Sequence, residues 1–340
     1  MQVNALANSN QRRNVVLMFA AFAAVYIIWG STYLAIKYAI DTIPPLLMAG
    51  IRFLSAGAVL MVWARFTADY EKPKVTHWRS ALIVGTLLLL FGNGAVVFAE
   101  RYISSSLAAL IVAMEPFWVV ILSWVWLRVS KPNLKVVSGL LAGFFGVWLL
   151  INGHGPSGDG GHSGSMLWAT LALVGGTFFW AAGSLFGLRA AAPKSAIQTA
   201  GMQMVAGGAV LLAVSALFGE WSSFYLSHVS AASIYGLLYL VVFGSIIGFT
   251  AYSWLLRNAP PPMVATYAYV NPIVAVLLGW LIAGETFTGQ MLIGAGVIVS
   301  SVVLITSQEK DEDNSSSKSD DLMTTGGAAA GNQRAARASA

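Results

Sequence analysis

Ten apolar runs, each close to twenty residues, dominate this chain and restrict its fold before any other feature is considered. They occupy residues 15–37, 46–64, 80–99, 105–127, 134–152, 166–188, 196–218, 232–256, 262–283 and 290–307. About 20 apolar residues in helical form cross the roughly 30 Å hydrocarbon layer of a membrane. Barrel strands are half that length and alternate in polarity, so they do not fit these blocks. Charged residues make up only 10% of the chain and hydrophobic residues 57%, against about 25% charged in an average soluble domain. The expected fold is therefore an all-α integral membrane protein with ten transmembrane helices. With no cysteine present, disulfides, thiolate metal sites and cysteine nucleophiles are excluded.

The connectors between runs are too short for a soluble domain. Residues 1–14 read as a cytoplasmic N-terminal segment and residues 153–165, rich in glycine, as a periplasmic linker between two halves, 15–152 and 166–307. Residues 308–340 open with an acidic and lysine-containing stretch, end in Ala, Gly and Ser, and read as a disordered cytoplasmic tail. Arg12 and Arg13 before an apolar run resemble a signal peptide. The run continues past Trp29 to Tyr38 and has a counterpart later in the chain, so retention as the first span is expected.

Basic residues set the orientation. If the N-terminus is cytoplasmic, that side holds Arg12, Arg13, Arg65, Lys72, Lys74, Arg79, Arg128, Lys131, Lys135, Arg189, Lys194, Arg257, Lys310, Lys318, Arg334 and Arg337, and the outer side only Lys37 and Arg101. This bias requires an even number of spans and puts both termini inside. It also accounts for the isoelectric point near 9.4 without nucleic acid as a partner.

The chain repeats itself. Residues 49–60 match residues 200–211 at six of twelve positions, a shift of 151, and the same shift places Trp29 on Trp180 and Arg52 on Gln203. A shift of 156 places Gly92 on Gly248, Ala95 on Ala251, Arg101 on Arg257, Pro116 on Pro272 and Trp124 on Trp280. The first four spans thus correspond to the sixth to ninth. Because a five-span unit is odd, its second copy enters the membrane inverted. Inverted repeats allow one packing to open inward and its counterpart outward around a shared site, which points to a carrier.

Trp29-Gly30-Ser31-Thr32-Tyr33, Pro44-Pro45 with Gly50-Ile51-Arg52-Phe53, Glu115-Pro116, Asn271-Pro272 and Gly284-Glu285 together resemble the drug/metabolite transporter superfamily. Within it they resemble the EamA family of ten-helix bacterial inner-membrane exporters. The resemblance implies two EamA repeats, a central cavity, and export of amino acids, related metabolites or toxic compounds. Where the family often carries a second Gly-Glu, after the fourth span, this chain has Arg128-Val129. A coupling role for Glu285 therefore does not carry over.

Ionisable groups inside spans are expensive to bury and hence candidates for function. Arg52 could receive a substrate carboxylate, and Glu115 could bind a proton or a substrate amine. The structural alternative is a permanent Arg52–Glu115 ion pair joining two helices. Gln203 keeps hydrogen-bonding capacity at the position equivalent to Arg52. Pro116 and Pro272 are expected to kink the fourth and ninth spans at equal depth beside Glu115 and Asn271, and Asn93 lies between Gly92 and Gly94 in the third. Such breaks are tolerated where a cavity or neighbouring protein satisfies the freed backbone. Trp29, Tyr33, Trp180, Tyr252, Tyr267 and Tyr269 fall within spans and could stack on a flat or cationic substrate, the alternative being packing or interfacial belts. Lys37 and Glu100-Arg101 read as interfacial, and Gly289, Gly294 and Gly296 as close-packing residues of the tenth span.

No Walker loop, zinc-protease helix or nucleophile elbow is present, so neither ATP, a metal nor another cofactor is expected, and the chain is not read as an enzyme. The reading that results is a secondary transporter exporting small, amino-acid-like molecules by alternating access across the cytoplasmic membrane, with protons as a candidate coupling ion. Multidrug or toxic-cation efflux is the alternative. A non-transporting scaffold or assembly partner gives no reason for paired prolines and intramembrane charge.

Overall fold

The computed structural model describes residues 15–128 and 163–284 apart from 260 and 266, together with scattered helical residues between 134 and 149 and between 289 and 301. The expected fifth and tenth spans, Tyr269's side chain, Glu285, the linker and both termini lie wholly or largely outside the described residues. Eight long helices carry the rest. They are α1 (Val15–Ala39), α2 (Pro45–Ala64), α3 (Val75–Ala99), α4 (Ser105–Leu127), α5 (Ser163–Arg189), α6 (Ala196–Leu217), α7 (Ala231–Asn258) and α8 (Tyr267–Ala283). Seven of these are long and apolar enough to span a membrane.

Local chemistry starts them where the sequence suggests. Pro45 opens α2 at a position whose N–H has no helical partner anyway. Ser104, Ser195 and Ser230 cap α4, α6 and α7, each hydroxyl accepting from the backbone N–H three residues on. The two prolines sit in different backbone settings. α4 is interrupted at Ala113–Met114 and restarts at Glu115 with Pro116 in its first turn. α8 runs unbroken through Pro272, and its interruption lies earlier, after the short helix Pro261–Val264. A proline in a first turn costs nothing, whereas within a helix it leaves a carbonyl to be satisfied elsewhere.

α2 and α6, equivalent in the repeat, pack antiparallel along their whole length. A Cβ built on Gly57 would lie 2.7 Å from the Val205 nitrogen, and one on Gly208 would lie 2.6 Å from that of Leu54. These are the same contact with the repeats exchanged, since 57 maps to 208 and 54 to 205. Gly50 against Leu212 and Gly201 against Met61 form a second exchanged pair. The relation extends outward: Gly248 on α7 makes room for Trp29 of α1, and Gly92 on α3 makes room for Trp180 of α5. Trp29 and Trp180 themselves meet edge to face at 5.6 Å. The repeats are thus related by a two-fold axis through this tryptophan pair, the inversion that an odd-span repeat demands.

Two further features obey the same relation. π-helical turns widen α3 at Thr86–Asn93 and α7 at Leu240–Phe249, equivalent positions that border the cavities described below. Each repeat also lends the other a carboxylate. Glu220, after α6, accepts from the Leu46 and Leu47 nitrogens at the start of α2 at 3.3 and 2.8 Å. Glu71, after α2, accepts from the Lys194 nitrogen just before α6 at 3.1 Å. A carboxylate at a helix N-terminus satisfies orphan donors and faces the positive end of the dipole.

At the far end of the chain Gly294 is buried, as close packing requires, whereas Gly289 and Gly296 are exposed. A Cβ on Gly289 or Gly296 would meet no atom within 4 Å.

Candidate functional site

Two cavities flank the tryptophan pair. The central one, about 70 Å³, is lined by Trp29, Thr32, Tyr33, Arg52, Asn93, Glu115, Thr177, Trp180, Tyr267 and Asn271 among others. The second, about 500 Å³, lies toward the basic end of the helices and is lined by Ser184, Gln203, Phe249, Tyr252, Ser253, Arg257 and the α5–α6 connection at Ala192–Pro193. Many positions of the second are repeat equivalents of the first. Gly183, Ser184 and Gly187 stand for Thr32, Tyr33 and Ile36, Gln203 for Arg52, and Phe249 and Tyr252 for Asn93 and Val96. The cavities are one architectural element used twice, with Arg52 and Glu115 lining the first and Arg257 the second.

Arg52 is 3% exposed. Its Nε donates to the Ser245 hydroxyl at 2.8 Å and its guanidinium lies 4.5 Å from the Phe53 ring centroid. Gly244 lacks the Cβ that would stand 2.9 Å from Nη2. Nη1 is buried with no hydrogen-bond partner. An unsatisfied donor on a buried cation is costly, so a ligand that accepts from it gains that much.

Glu115 is 2% exposed and starts the second segment of α4, where the helix dipole favours negative charge. One oxygen accepts from the Tyr267 hydroxyl at 3.2 Å. Arg52 and Glu115 therefore bond to different partners and not to each other, and the ion pair considered from sequence does not form. With its amide oriented to donate, Asn271 reaches the carbonyls of Tyr26 at 3.0 Å and Tyr267 at 3.3 Å. It thereby serves α1 beside the π-helical turn Val25–Trp29. The Asn93 side-chain oxygen is buried without a partner.

Between the cavities stands a wall of rings. Trp29 lies 4.9 Å from Tyr252 and 5.2 Å from Tyr267, and Trp180 lies 5.9 Å from Tyr252. Trp29 Nε1 donates to the Gly244 carbonyl at 3.1 Å, and the Ser184 and Tyr252 hydroxyls bond at 2.7 Å. The sequence candidates Arg52, Asn93, Glu115, Asn271, Trp29, Tyr33, Trp180 and Tyr267 are brought to the central cavity, while Gln203 and Tyr252 face the other. Pro116 and Pro272 line neither. Three residues were missed. Ser245 positions Arg52. Glu100, read as interfacial, is 5% exposed, and its charge acts on Arg52 and Tyr33. Arg257 was counted only as a loop cation.

Comparison with known proteins identifies the architecture. The EamA-like transporter family matches residues 16–152 and again 167–307. The chain belongs to the EamA family. This member is 37% identical over 291 residues to the uncharacterised inner membrane transporter YedA of Escherichia coli strain K12, covering 84% of this chain and 90% of YedA. It is 29% identical over 280 residues to the transporter YvbV of Bacillus subtilis, covering 82% and 88%. Against a Salmonella typhimurium protein named "Probable amino-acid metabolite efflux pump" it is 28% identical over 291 residues, covering 81% and 90%. A solved crystal structure 19% identical in sequence superimposes with a TM-score of 0.58 over 86% of this chain and 96% of the other, a likeness of fold. This EamA protein is accordingly a membrane transporter of a small molecule, a member of the drug/metabolite transporter superfamily.

Proposed function

We propose that this protein exports small zwitterions of the amino-acid type across the bacterial cytoplasmic membrane by alternating access, with both termini cytoplasmic. The observation that carries the reading is the placement of one unpaired guanidinium nitrogen and one carboxylate on the same buried cavity. Arg52 Nη1 donates to no protein acceptor and suits a substrate carboxylate. Glu115, held only by Tyr267, suits a substrate ammonium. A molecule carrying both groups satisfies both charges at once, which neither an acid nor an amine alone does. The ring wall of Trp29, Trp180 and Tyr267 would receive the side chain. The Salmonella relative's name points the same way.

Toxic-cation efflux is the second reading, favoured by Glu115 lying among rings that attract cations. It leaves Arg52 unexplained, because a buried guanidinium on the same cavity repels such a cargo. The deciding experiment is uptake into proteoliposomes of labelled amino acids and of cationic dyes, with and without a pH gradient. Amino-acid flux lost in Arg52→Gln supports export of zwitterions. Dye flux alone, unaffected by that change, rejects it in favour of the second reading. Glu115→Gln with full flux and unaltered response to the gradient removes Glu115 from proton or amine binding.

A further inference from the structure

The wide cavity has its own chemistry, distinct from the buried site. Among its described lining residues Arg257 alone carries a formal charge. Its Nη1 donates to the Lys194 carbonyl and its Nη2 to the Thr199 hydroxyl, both at 2.6 Å. Both acceptors are neutral, so the guanidinium is held in place, and no carboxylate is among the cavity's described lining residues. The side chain is partly exposed at the cavity's mouth, and deeper in, Gln203 occupies the position that Arg52 holds in the other repeat. The fixed cation therefore stands at the entrance and a neutral amide inside. Tyr252, which lines the cavity, packs against Trp29 and Trp180, and on the far side of those rings Arg52 offers a second, unpaired guanidinium nitrogen. Low-dielectric walls around a single charge concentrate ions of the opposite sign.

We propose that the wide cavity is an anion-collecting vestibule in which Arg257 docks the carboxylate of a small molecule before it passes the aromatic wall. The role in cargo delivery rests on the export reading above. The anion preference itself does not, and it can be measured without any transport.

The absence of native cysteine permits a direct test with full-length protein in nanodiscs. Ser253 lines the same cavity four residues before Arg257 on α7, so the two side chains are neighbours on one helix face. Ser253→Cys is labelled with anionic sulfonatoethyl and cationic trimethylammonioethyl methanethiosulfonate, and the ratio of rates is referred to Ser222→Cys on the exposed α6–α7 connection. A unit charge about 7 Å away in water-like dielectric changes that ratio roughly eightfold. The expected result is an anion preference of about this size, abolished by Arg257→Gln and retained by Arg257→Lys. Because Arg257→Lys keeps the charge while breaking the hydrogen-bond pattern, it separates electrostatics from loss of fold. A preference that survives Arg257→Gln, a preference lost equally in Arg257→Lys, or a cysteine that neither reagent reaches overturns the proposal. Normal labelling preference without amino-acid flux would leave the vestibule standing and reject the export reading.

Discussion

The two-fold packing of α2 on α6 makes a prediction whose sign depends on position alone. In Gly57→Ala the new methyl would stand 2.7 Å from the Val205 nitrogen and 2.9 Å from the Gly201 carbonyl oxygen. Ordinary contact begins at 3.4 Å, so the helices must part by about 0.7 Å. The obstructing atoms are backbone, which no rotamer change can move. Overpacking of this kind costs about 3 kcal/mol, and the alanine recovers about 1 kcal/mol of helix propensity, for a net loss of about 2 kcal/mol. That corresponds to a fall of roughly 4 °C in unfolding temperature, readable by fluorescence-detected size exclusion after a heating series. Gly208→Ala, its exchanged counterpart, should lose a similar amount. Gly175→Ala on α5, where a Cβ meets nothing within 4 Å, should instead gain up to about 1 kcal/mol. Equal shifts of one sign for Gly57→Ala and Gly175→Ala would refute the packing described.

Four other changes probe individual side chains. We predict that Glu220→Ala leaves the Leu46 and Leu47 nitrogens and the Ser215 hydroxyl without their acceptor and lowers stability by about 1–2 kcal/mol. Glu71→Ala, which removes one such bond, should cost less in the same thermal assay. Ser245→Ala strips Arg52 Nε of its partner; substrate KM should rise severalfold as the guanidinium loses its orientation, and an unchanged KM counts against that role. Tyr267→Phe removes the hydroxyl that holds Glu115, and flux should drop about tenfold, the worth of one hydrogen bond to a charged group. Flux equal to wild type would show that Glu115 needs no positioning.

How much of this was visible in the sequence depended on the kind of feature. Apolar runs, an internal shift and a charge bias are one-dimensional, and they led directly to helices packed as inverted repeats. Arg52 and Glu115 stood out because charge is rare in an apolar span. Their lack of mutual pairing was not legible, because it depends on Ser245 and Tyr267, 193 and 152 residues away. The identity of Gly92 with Gly248 was plain, yet its cause, room for a tryptophan of the opposite repeat, appears only when α1 faces α7. Glu100 was misjudged for a physical reason. Position at a helix end suggests solvent, while burial and cavity lining depend on which neighbours cover that end. Pro116 and Pro272 share a sequence position but not a backbone outcome, since α4 restarts at Glu115 whereas in α8 Asn271 donates to the carbonyls of Tyr26 and Tyr267.

The two-charge cavity is the centre of the proposed transport cycle. Its sharpest measurement is competition for labelled amino-acid flux in proteoliposomes by three matched compounds: the unlabelled amino acid, its methyl ester and its deaminated acid. In the wild type the intact amino acid should compete at least about tenfold better than either derivative. In Arg52→Gln the ester should draw level with it, and in Glu115→Gln the acid should. Equal competition by all three in the wild type, or the same ranking in both variants, would contradict the claim that Arg52 and Glu115 read the two ends of one cargo.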